Sequence, residues 1–160
     1  MIELKNVTKK YGRKTVLDDV SIQFEKGKVN CLLGLNGVGK STTMKSIMGL
    51  VPITRGEILV DGEKVSGRNI DKIAYVADIP MHDLGWTIDQ NLAFAQVFYK
   101  KFDMEKAQRM ADFLKVPRDR KLKELSKGNL ARFNLIVGLA QNAPYVLLDE
   151  PFSGIDVFTR

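Results

Sequence analysis

The apolar and polar positions of the first part of the chain alternate with the two-residue period typical of half-buried strands. The period is carried by Ile2 and Leu4, and then by Val16-Leu17, Val20, Ile22 and Phe24. The mainly apolar run at 29–33 predicts a buried strand, in which Cys31, the single cysteine, is a small core residue. Segments 57–60 and 63–65 flank Asp61-Gly62 and predict a further strand pair.

After Trp86 the period becomes helical. Thr87 and Gln90 have the spacing of a capping box. Apolar spacing predicts three helices, at 88–99, from Asp103 to a stop at Pro117, and from about Ser126 to 140. The apolar run 145–148 then predicts a strand that is covered on both faces, as in a parallel sheet.

This order of elements predicts an α/β domain with an inserted α-helical subdomain. Residues 1–84 and 144–160 would form the core, with antiparallel strands at its N-terminal side. Residues 85–143 would form the helical subdomain. The length of 160 residues suits one domain of this kind.

Composition narrows the class of protein. An apolar content of 44% and a charged content of 28% are ordinary for a globular chain, and no segment approaches the roughly 20 apolar residues of a membrane span. Charges within residues 1–5 argue against a signal peptide, so we expect a cytoplasmic protein. The net charge of +6 comes from scattered residues without interleaved aromatic side chains. We therefore expect a solvated surface or a lipid or membrane partner, and no nucleic acid.

A glycine-rich loop follows the run 29–33. Residues 34–41 match G-x-x-x-x-G-K-[ST], the phosphate loop of P-loop nucleoside triphosphatases, between a predicted strand and a predicted helix. Its glycines allow the backbone N–H groups to approach phosphates, its lysine reaches the β- and γ-phosphates, and its serine is a Mg²⁺ ligand. A chance glycine-rich turn is the alternative. The residues expected to contact ATP are Asn36, Gly37, Val38, Gly39, Lys40, Ser41 and Thr42.

Two carboxylates end the last apolar run. In a parallel sheet, ligands gather at the carboxyl ends of strands. Asp149 is expected to hold Mg²⁺, directly or through water, and Glu150 to polarise the water that attacks the γ-phosphorus. With Lys40, Glu150 is the predicted catalytic residue. Asp-Glu-Pro alone is a weak signal, since acidic residues end many strands, but the phosphate loop strengthens it.

Other segments resemble the ATP-binding cassette ATPases from end to end. Residues 125–129, Leu-Ser-Lys-Gly-Asn, resemble the family signature LSGGQ, and residues 150–156 resemble the acidic base followed by the D-loop. The resemblance implies a P-loop (RecA-like) core and a second cassette subunit, identical or different, facing the first head to tail. Ser126 and Gly128 would then contact the ATP of the opposite subunit; a simple helix N-cap is the alternative for Ser126. Tyr11 sits where the family carries an adenine-stacking aromatic, although a surface tyrosine is nearly as good an interpretation.

Three departures from the family pattern stand out. Lys127 and Asn129 replace signature glycine and glutamine, as in subunits paired with ABC-2-type exporters. Asp78 aligns with the glutamine of the family's Q-loop and is expected to contact Mg²⁺ or its water. The sequence stops at Arg160, before the family's switch histidine, and His82 cannot be that residue. We therefore expect a C-terminally truncated cassette that binds ATP and hydrolyses it poorly.

The resemblance implies an Mg²⁺-dependent ATPase that drives an integral membrane permease on a separate chain, most consistent with export. The protein would lie at the inner face of the cell membrane, with the permease docked on residues 78–86 and the helical subdomain. A soluble cassette ATPase acting on ribosomes or DNA is the second hypothesis. A P-loop kinase or GTPase is the third.

Overall fold

The computed structural model describes residues 1–77 and 82–151. The chain forms two compact units, Met1–Ile73 and Ala74–Arg160. The regular elements are, in chain order, β1 (Ile2–Tyr11), β2 (Lys14–Phe24), α1 (Lys40–Ile47), β3 (Arg55–Val60), β4 (Glu63–Lys64), β5 (Ile73–Val76), α2 (Ile88–Phe98), α3 (Met104–Phe113), α4 (Lys127–Ala140) and β6 (Tyr145–Leu148). Short 3₁₀ turns lie at Ile70–Lys72 and Leu122–Glu124. The predicted boundaries at 84 and 143 stay a prediction.

An antiparallel four-stranded sheet, in the order β2-β1-β3-β4, dominates the first unit. Strand β1 pairs Ile2 with Phe24 and Leu4 with Ile22, so the alternating apolar positions share one face. That face is buried at Ile2, Leu4 and Val60. The strand predictions from periodicity are confirmed here, as is the strand pair on either side of Asp61-Gly62.

The predicted strand at 29–33 is wrong. Among the described residues no ladder includes this run, which has no regular structure. Val29 and Leu33 are exposed, and so is Cys31, which is therefore not a core residue. An apolar composition was a poor guide because burial depends on a neighbouring strand that the local sequence does not specify.

The second unit contains the two-stranded sheet of β5 and β6, together with helices α2, α3 and α4. The helices enclose an apolar cluster whose largest fully buried side chains are Ile88, Leu92, Leu122, Phe133 and Ile136. Strand β6 is less covered than predicted: Tyr145 is buried, while Val146 to Leu148 are partly exposed. Within the described part of the chain, no helix is long and apolar enough to cross a bilayer.

The start of α2 is a helix boundary that the local sequence is enough to predict. At the start of α2, the Gln90 N–H donates to Thr87 Oγ1 at 3.2 Å and the Thr87 N–H donates to Gln90 Oε1 at 2.8 Å, which confirms the capping box.

The predicted end of α3 at Pro117 is wrong. The helix ends at Phe113 because Lys115 takes a left-handed φ of 54° and the Val116 N–H returns to the Ala111 carbonyl at 2.9 Å.

Helix α4 packs closely against β5 at Gly138. A Cβ atom at this position would lie 2.3 Å from Val76 Cγ2, well inside contact distance. The absence of a side chain thus permits the close approach of helix and strand. The contact brings the helix that begins at the predicted signature to the strand that precedes residue 78.

Candidate nucleotide-binding site

The phosphate loop occupies residues 34–39 of the first unit, without regular structure, and leads directly into α1. Gly37 and Gly39 have φ angles of 81° and 104°, a region that residues with a Cβ rarely adopt. At Gly39 a Cβ would also lie 2.9 Å from Leu17 Cδ2 and 3.1 Å from the Val16 carbonyl oxygen. Glycine is therefore required at 37 for conformation, and at 39 for both conformation and space.

Lys40 bends back across this loop. Its Nζ donates to the carbonyl oxygens of Gly34 at 2.8 Å and Leu35 at 2.9 Å. The ammonium thus lies against the loop backbone, within reach of an anion placed there. An ammonium in this position suits the phosphate-binding role that the loop motif predicts for Lys40.

The N-terminus of α1 is open to an anion. Helix α1 begins at Lys40, its cap residue Gly39 offers no side-chain hydrogen bond, and its first turn carries no acidic residue. The Thr43 N–H and hydroxyl both return to the Gly39 carbonyl, at 2.8 and 2.9 Å. The preceding N–H groups and the positive end of the helix therefore suit phosphate oxygens.

These donors fit a nucleotide with Mg²⁺. The loop and Lys40 supply positive and N–H groups for phosphates, while Ser41 and Thr42 add hydroxyls in the first turn of α1. Asp149, in the second unit, supplies carboxylate oxygen, a ligand that Mg²⁺ prefers. Among the described residues no group of three or more His, Cys, Asp or Glu could hold a metal. Taken each within its own unit, the hydroxyls of α1 and the carboxylate of Asp149 are oxygen ligands of the kind that Mg²⁺ prefers.

The two carboxylates that follow β6 lie in different environments. Asp149 is buried at 6% exposure, and its N–H donates to the Val76 carbonyl at 2.9 Å. Glu150 is exposed and has a left-handed φ of 49°, a conformation that costs a non-glycine residue about 1–3 kcal/mol. The backbone turn at Glu150 accompanies this change from a buried to an exposed carboxylate.

Tyr75 contacts the buried carboxylate. Its Oη donates to Asp149 Oδ2 at 2.7 Å. Burial raises the pKa of Tyr75, and the hydrogen bond and charge of Asp149 raise it further, so the phenol stays protonated and donates. Sequence reasoning missed this residue, because strand β5 was not predicted and the pair is 74 positions apart in sequence. The apolar Ile73-Ala74-Tyr75-Val76 run was the signal available.

The predicted signature lies at the start of α4. Ser126 is the exposed N-cap, and its Oγ accepts from the Asn129 N–H at 3.3 Å. The capping interpretation is thus present in the structure, and it leaves the helix start, including Gly128, accessible in part. Asn129, which replaces the family glutamine, accepts from Arg132 Nη1 at 3.2 Å on the same helix.

The remaining predicted residues have different outcomes. Tyr11 is 49% exposed at the β1–β2 turn, with Lys9 Nζ 4.5 Å from its ring centroid, so one cation already contacts the aromatic ring. Asp78 and the D-loop from residue 152 lie outside the described residues. His82 follows the first gap and contacts Phe133 edge-on at 5.0 Å, and burial lowers its pKa.

Comparisons with known proteins identify the family to which the chain belongs. The family model for ABC transporters matches residues 17–153. The ABC transporter ATP-binding protein YtrB of Bacillus subtilis is 35% identical over 163 residues, which cover 100% of this chain and 56% of YtrB. The chain thus spans about half the length of such curated relatives.

Solved structures extend the comparison to the fold. The dimeric structure of MJ0796, a bacterial ABC transporter cassette, matches with a TM-score of 0.84 and 26% identity over 98% of this chain and 76% of that one. The same cassette bound to ADP and Pi matches with a TM-score of 0.83 and 25% identity, over 98% and 77%. The predicted α/β fold with a P-loop core is confirmed, and the chain belongs to the ATP-binding cassette family of ABC transporters.

Proposed function

We propose that this chain is an ATP-binding and ATP-hydrolysing subunit that drives a membrane permease carried on a separate polypeptide. The observation that supports this most directly is the loop before α1. Gly37 and Gly39 take left-handed conformations, Lys40 lies against the loop carbonyls, and the helix start carries neither a cap nor an acid. Such a loop suits the phosphates of ATP.

Each predicted residue then has a chemical role. Lys40 and the amides of residues 36–39 bind the β- and γ-phosphates, and Ser41 and Asp149 offer oxygen ligands for Mg²⁺. When bound, Mg²⁺ neutralises phosphate charge. Exposed Glu150 accepts a proton from the attacking water, while buried Asp149 stays with its hydrogen-bond partners. Asp78 as a further Mg²⁺ contact and Tyr11 as an adenine platform are parts of the same proposal.

A second cassette subunit would complete the functional unit. Ser126 and Gly128 lie at the exposed start of α4, where a hydroxyl, amides and a helix dipole can meet the γ-phosphate of the opposite subunit. The dimeric state of the structurally similar cassette MJ0796 supports this proposal. Closure on ATP and reopening after hydrolysis would transmit motion to the permease.

The helical part of the second unit offers a surface for such a permease. Trp86, Phe94 and Phe98 form what we term the α2 aromatic surface. Trp86 and Phe94 meet edge-on at 5.8 Å, Phe94 and Phe98 stack at 6.1 Å, and all three are at least 41% exposed. Exposed contiguous aromatic side chains mark interaction surfaces, where such residues supply most of the binding energy.

The charges beside this surface indicate what kind of partner it fits. The Lys123 N–H donates to the Leu84 carbonyl at 3.0 Å, and Lys121 forms an antiparallel β-bridge with Thr87. Both exposed lysines therefore lie beside the segment that contains Trp86. An apolar surface complements the apolar face of an amphipathic helix, and the two lysines can pair with acidic residues on that helix. We propose a cytosolic helix of the permease as its occupant, with the protein held at the inner face of the membrane.

The permease proposal is tested by co-purification. The longest natural form of the chain is tagged, extracted from membranes in mild detergent, and analysed for stoichiometric partners. A polytopic membrane protein is the expected result. A soluble pool bound to ribosomes or nucleic acid, without a membrane partner, would favour the soluble cassette hypothesis instead.

The docking surface is tested by the double substitution Phe94→Ser/Phe98→Ser. We expect recovery of the permease to fall at least tenfold while ATP affinity is unchanged, because both side chains are exposed and lie outside the phosphate loop. Phe113→Ser on α3, where the ring is 85% exposed, is the matched control. Lys121→Glu/Lys123→Glu should weaken association less, and in a salt-dependent manner. Full recovery with the double substitution would contradict this site.

The direction of transport is proposed as export. The support is the Lys127 and Asn129 signature, which resembles that of subunits paired with ABC-2-type exporters. The test uses vesicles that contain the purified complex with the cassette on the outer side. When ATP is added outside, we expect substrate to accumulate inside the vesicles, because export moves it away from the cassette side. Uptake in the opposite sense would contradict the proposal.

A further inference from the structure

The buried carboxylate Asp149 is held by one strand at two points. The Asp149 N–H donates to the Val76 carbonyl at 2.9 Å, and Asp149 Oδ2 accepts from Tyr75 Oη at 2.7 Å. Both partners belong to β5, whose neighbour in the sheet is β6. Backbone and side chain of Asp149 are therefore located by the same two consecutive residues.

A hydrogen bond to one carboxylate oxygen restricts rotation of the whole group. Each carboxylate oxygen has two lone pairs, so the bond from Tyr75 leaves acceptor capacity for other contacts. A carboxylate that must meet a metal ion benefits when its orientation is set beforehand. Hydrogen-bond partners of metal ligands typically change metal affinity about 10–100-fold when they are lost.

We propose that Tyr75 is a positioning residue for Mg²⁺ that sets the orientation of the Asp149 carboxylate for the ion that accompanies ATP. The inference rests on the proposed function, since it assigns Asp149 as an Mg²⁺ ligand. The phenol itself does not contact the ion. Its effect passes through the 2.7 Å hydrogen bond to Asp149 Oδ2.

A purely structural role for Tyr75 is the competing explanation, and it predicts a different measurement. In that case, loss of the hydroxyl would lower the free energy of unfolding and leave the metal dependence of nucleotide binding unchanged. Tyr75→Phe separates the two roles because it removes only the hydroxyl and keeps the ring that packs between its neighbours.

The experiment measures the affinity for ATP twice, once with excess Mg²⁺ and once with EDTA, and takes the ratio of the two dissociation constants. Calorimetry on the longest natural form of the chain, with a non-hydrolysable ATP analogue, provides both values. We expect Tyr75→Phe to lower the Mg²⁺ enhancement about tenfold or more, while the affinity without metal stays within twofold. Tyr145→Phe, on strand β6 of the same sheet, should leave the ratio unchanged.

A double-substitution cycle with Asp149→Asn tests the route of the effect. If Tyr75 acts through Asp149, adding Tyr75→Phe to Asp149→Asn should cause no further loss of Mg²⁺ enhancement. An enhancement ratio in Tyr75→Phe within twofold of the parent would overturn the inference, whatever the stability. If the parent itself binds no ATP, the proposed function fails. If the parent binds ATP and Tyr75→Phe has the same Mg²⁺ enhancement as the parent, only the inference about Tyr75 fails.

Discussion

The phosphate loop and the acidic end of β6 are built in opposite ways. The loop is formed by consecutive residues, is largely exposed, and depends on the left-handed conformations of Gly37 and Gly39. The acidic end depends on a buried side chain, Asp149, whose partner Tyr75 is 74 positions away. A site made of backbone can be recognised from a short motif, whereas a site made of side-chain packing requires the tertiary fold.

We expect the largest effect from a substitution at the acidic end of β6 that removes the catalytic carboxylate and leaves the phosphate loop intact. Glu150→Gln keeps the shape of the side chain but cannot accept the proton from water, so we expect the turnover number to fall at least about 100-fold. ATP affinity should stay within twofold. Steady-state phosphate release and calorimetry on the longest natural form measure both. Equal turnover in the variant would exclude Glu150 as the base.

Lys40→Ala breaks the loop instead. The variant loses charge-assisted bonds to phosphate, each contributing about 1.5–3 kcal/mol, so we expect ATP affinity to fall about 100-fold. Fluorescence titration with a labelled ATP analogue checks this. Lys45→Ala, an exposed lysine later in α1, removes the same charge away from the loop and should bind ATP normally. A similar loss in both variants would point to net charge as the cause.

Gly138→Ala tests the packing on which the second unit depends. The new Cβ would clash with Val76 Cγ2, and such overpacking costs about 1–3 kcal/mol, partly offset by about 1 kcal/mol of helix propensity. We expect the free energy of unfolding in urea to fall by up to about 2 kcal/mol. Val76→Ala should remove most of this penalty in the double variant. Gly128→Ala, where a Cβ meets nothing within 4 Å, should not destabilise the chain.

Lys115→Gly tests in the second unit the same kind of left-handed backbone conformation on which the phosphate loop depends. Lys115 has a φ of 54°, which costs residues with a Cβ about 1–2 kcal/mol, while glycine loses about 0.5–1 kcal/mol in chain entropy. We expect thermal and urea unfolding to show a gain of up to about 1 kcal/mol. Lys115→Ala removes the charge but keeps the Cβ, so a gain there would assign the effect to charge.

The smallest expected effect concerns His82. Burial lowers its pKa below the ordinary 6.5, so the unfolded chain binds the proton first as pH falls. The contribution of His82 to the free energy of unfolding is therefore fully present above about pH 6.5 and is lost as the pH falls from that value through the lower folded pKa. His82 is the single histidine, so His82→Gln should abolish this part of the pH dependence in urea titrations. An unchanged slope would contradict it.

Local signals in the sequence were reliable where neighbours in sequence are also partners. The Thr87–Gln90 capping box and the strand predicted from the two-residue period at Ile2 and Leu4 were both confirmed. The loop motif likewise led to the glycines and lysine whose geometry suits phosphate. Each of these features is specified within a few residues or by a simple period.

Signals that depend on distant residues failed. Residues 29–33 have the composition of a core strand, but no ladder among the described residues includes them. The end of α3 was set by the left-handed turn at Lys115, which has no glycine to mark it. The partnership of Tyr75 with Asp149 and the fit of Gly138 against Val76 arise only from the fold. The nucleotide contacts themselves stay predictions.

The folded-back Lys40 is preorganised for an anion. Its Nζ donates to the Gly34 and Leu35 carbonyls, and an ammonium carries three N–H donors, so a phosphate oxygen can be added to these two partners. Because the two bonds restrict a flexible four-carbon side chain, phosphate binding costs less rotamer freedom than it would at a lysine that is free in solvent. The loop carbonyls thus turn part of the entropic cost of ATP binding into a property of the fold.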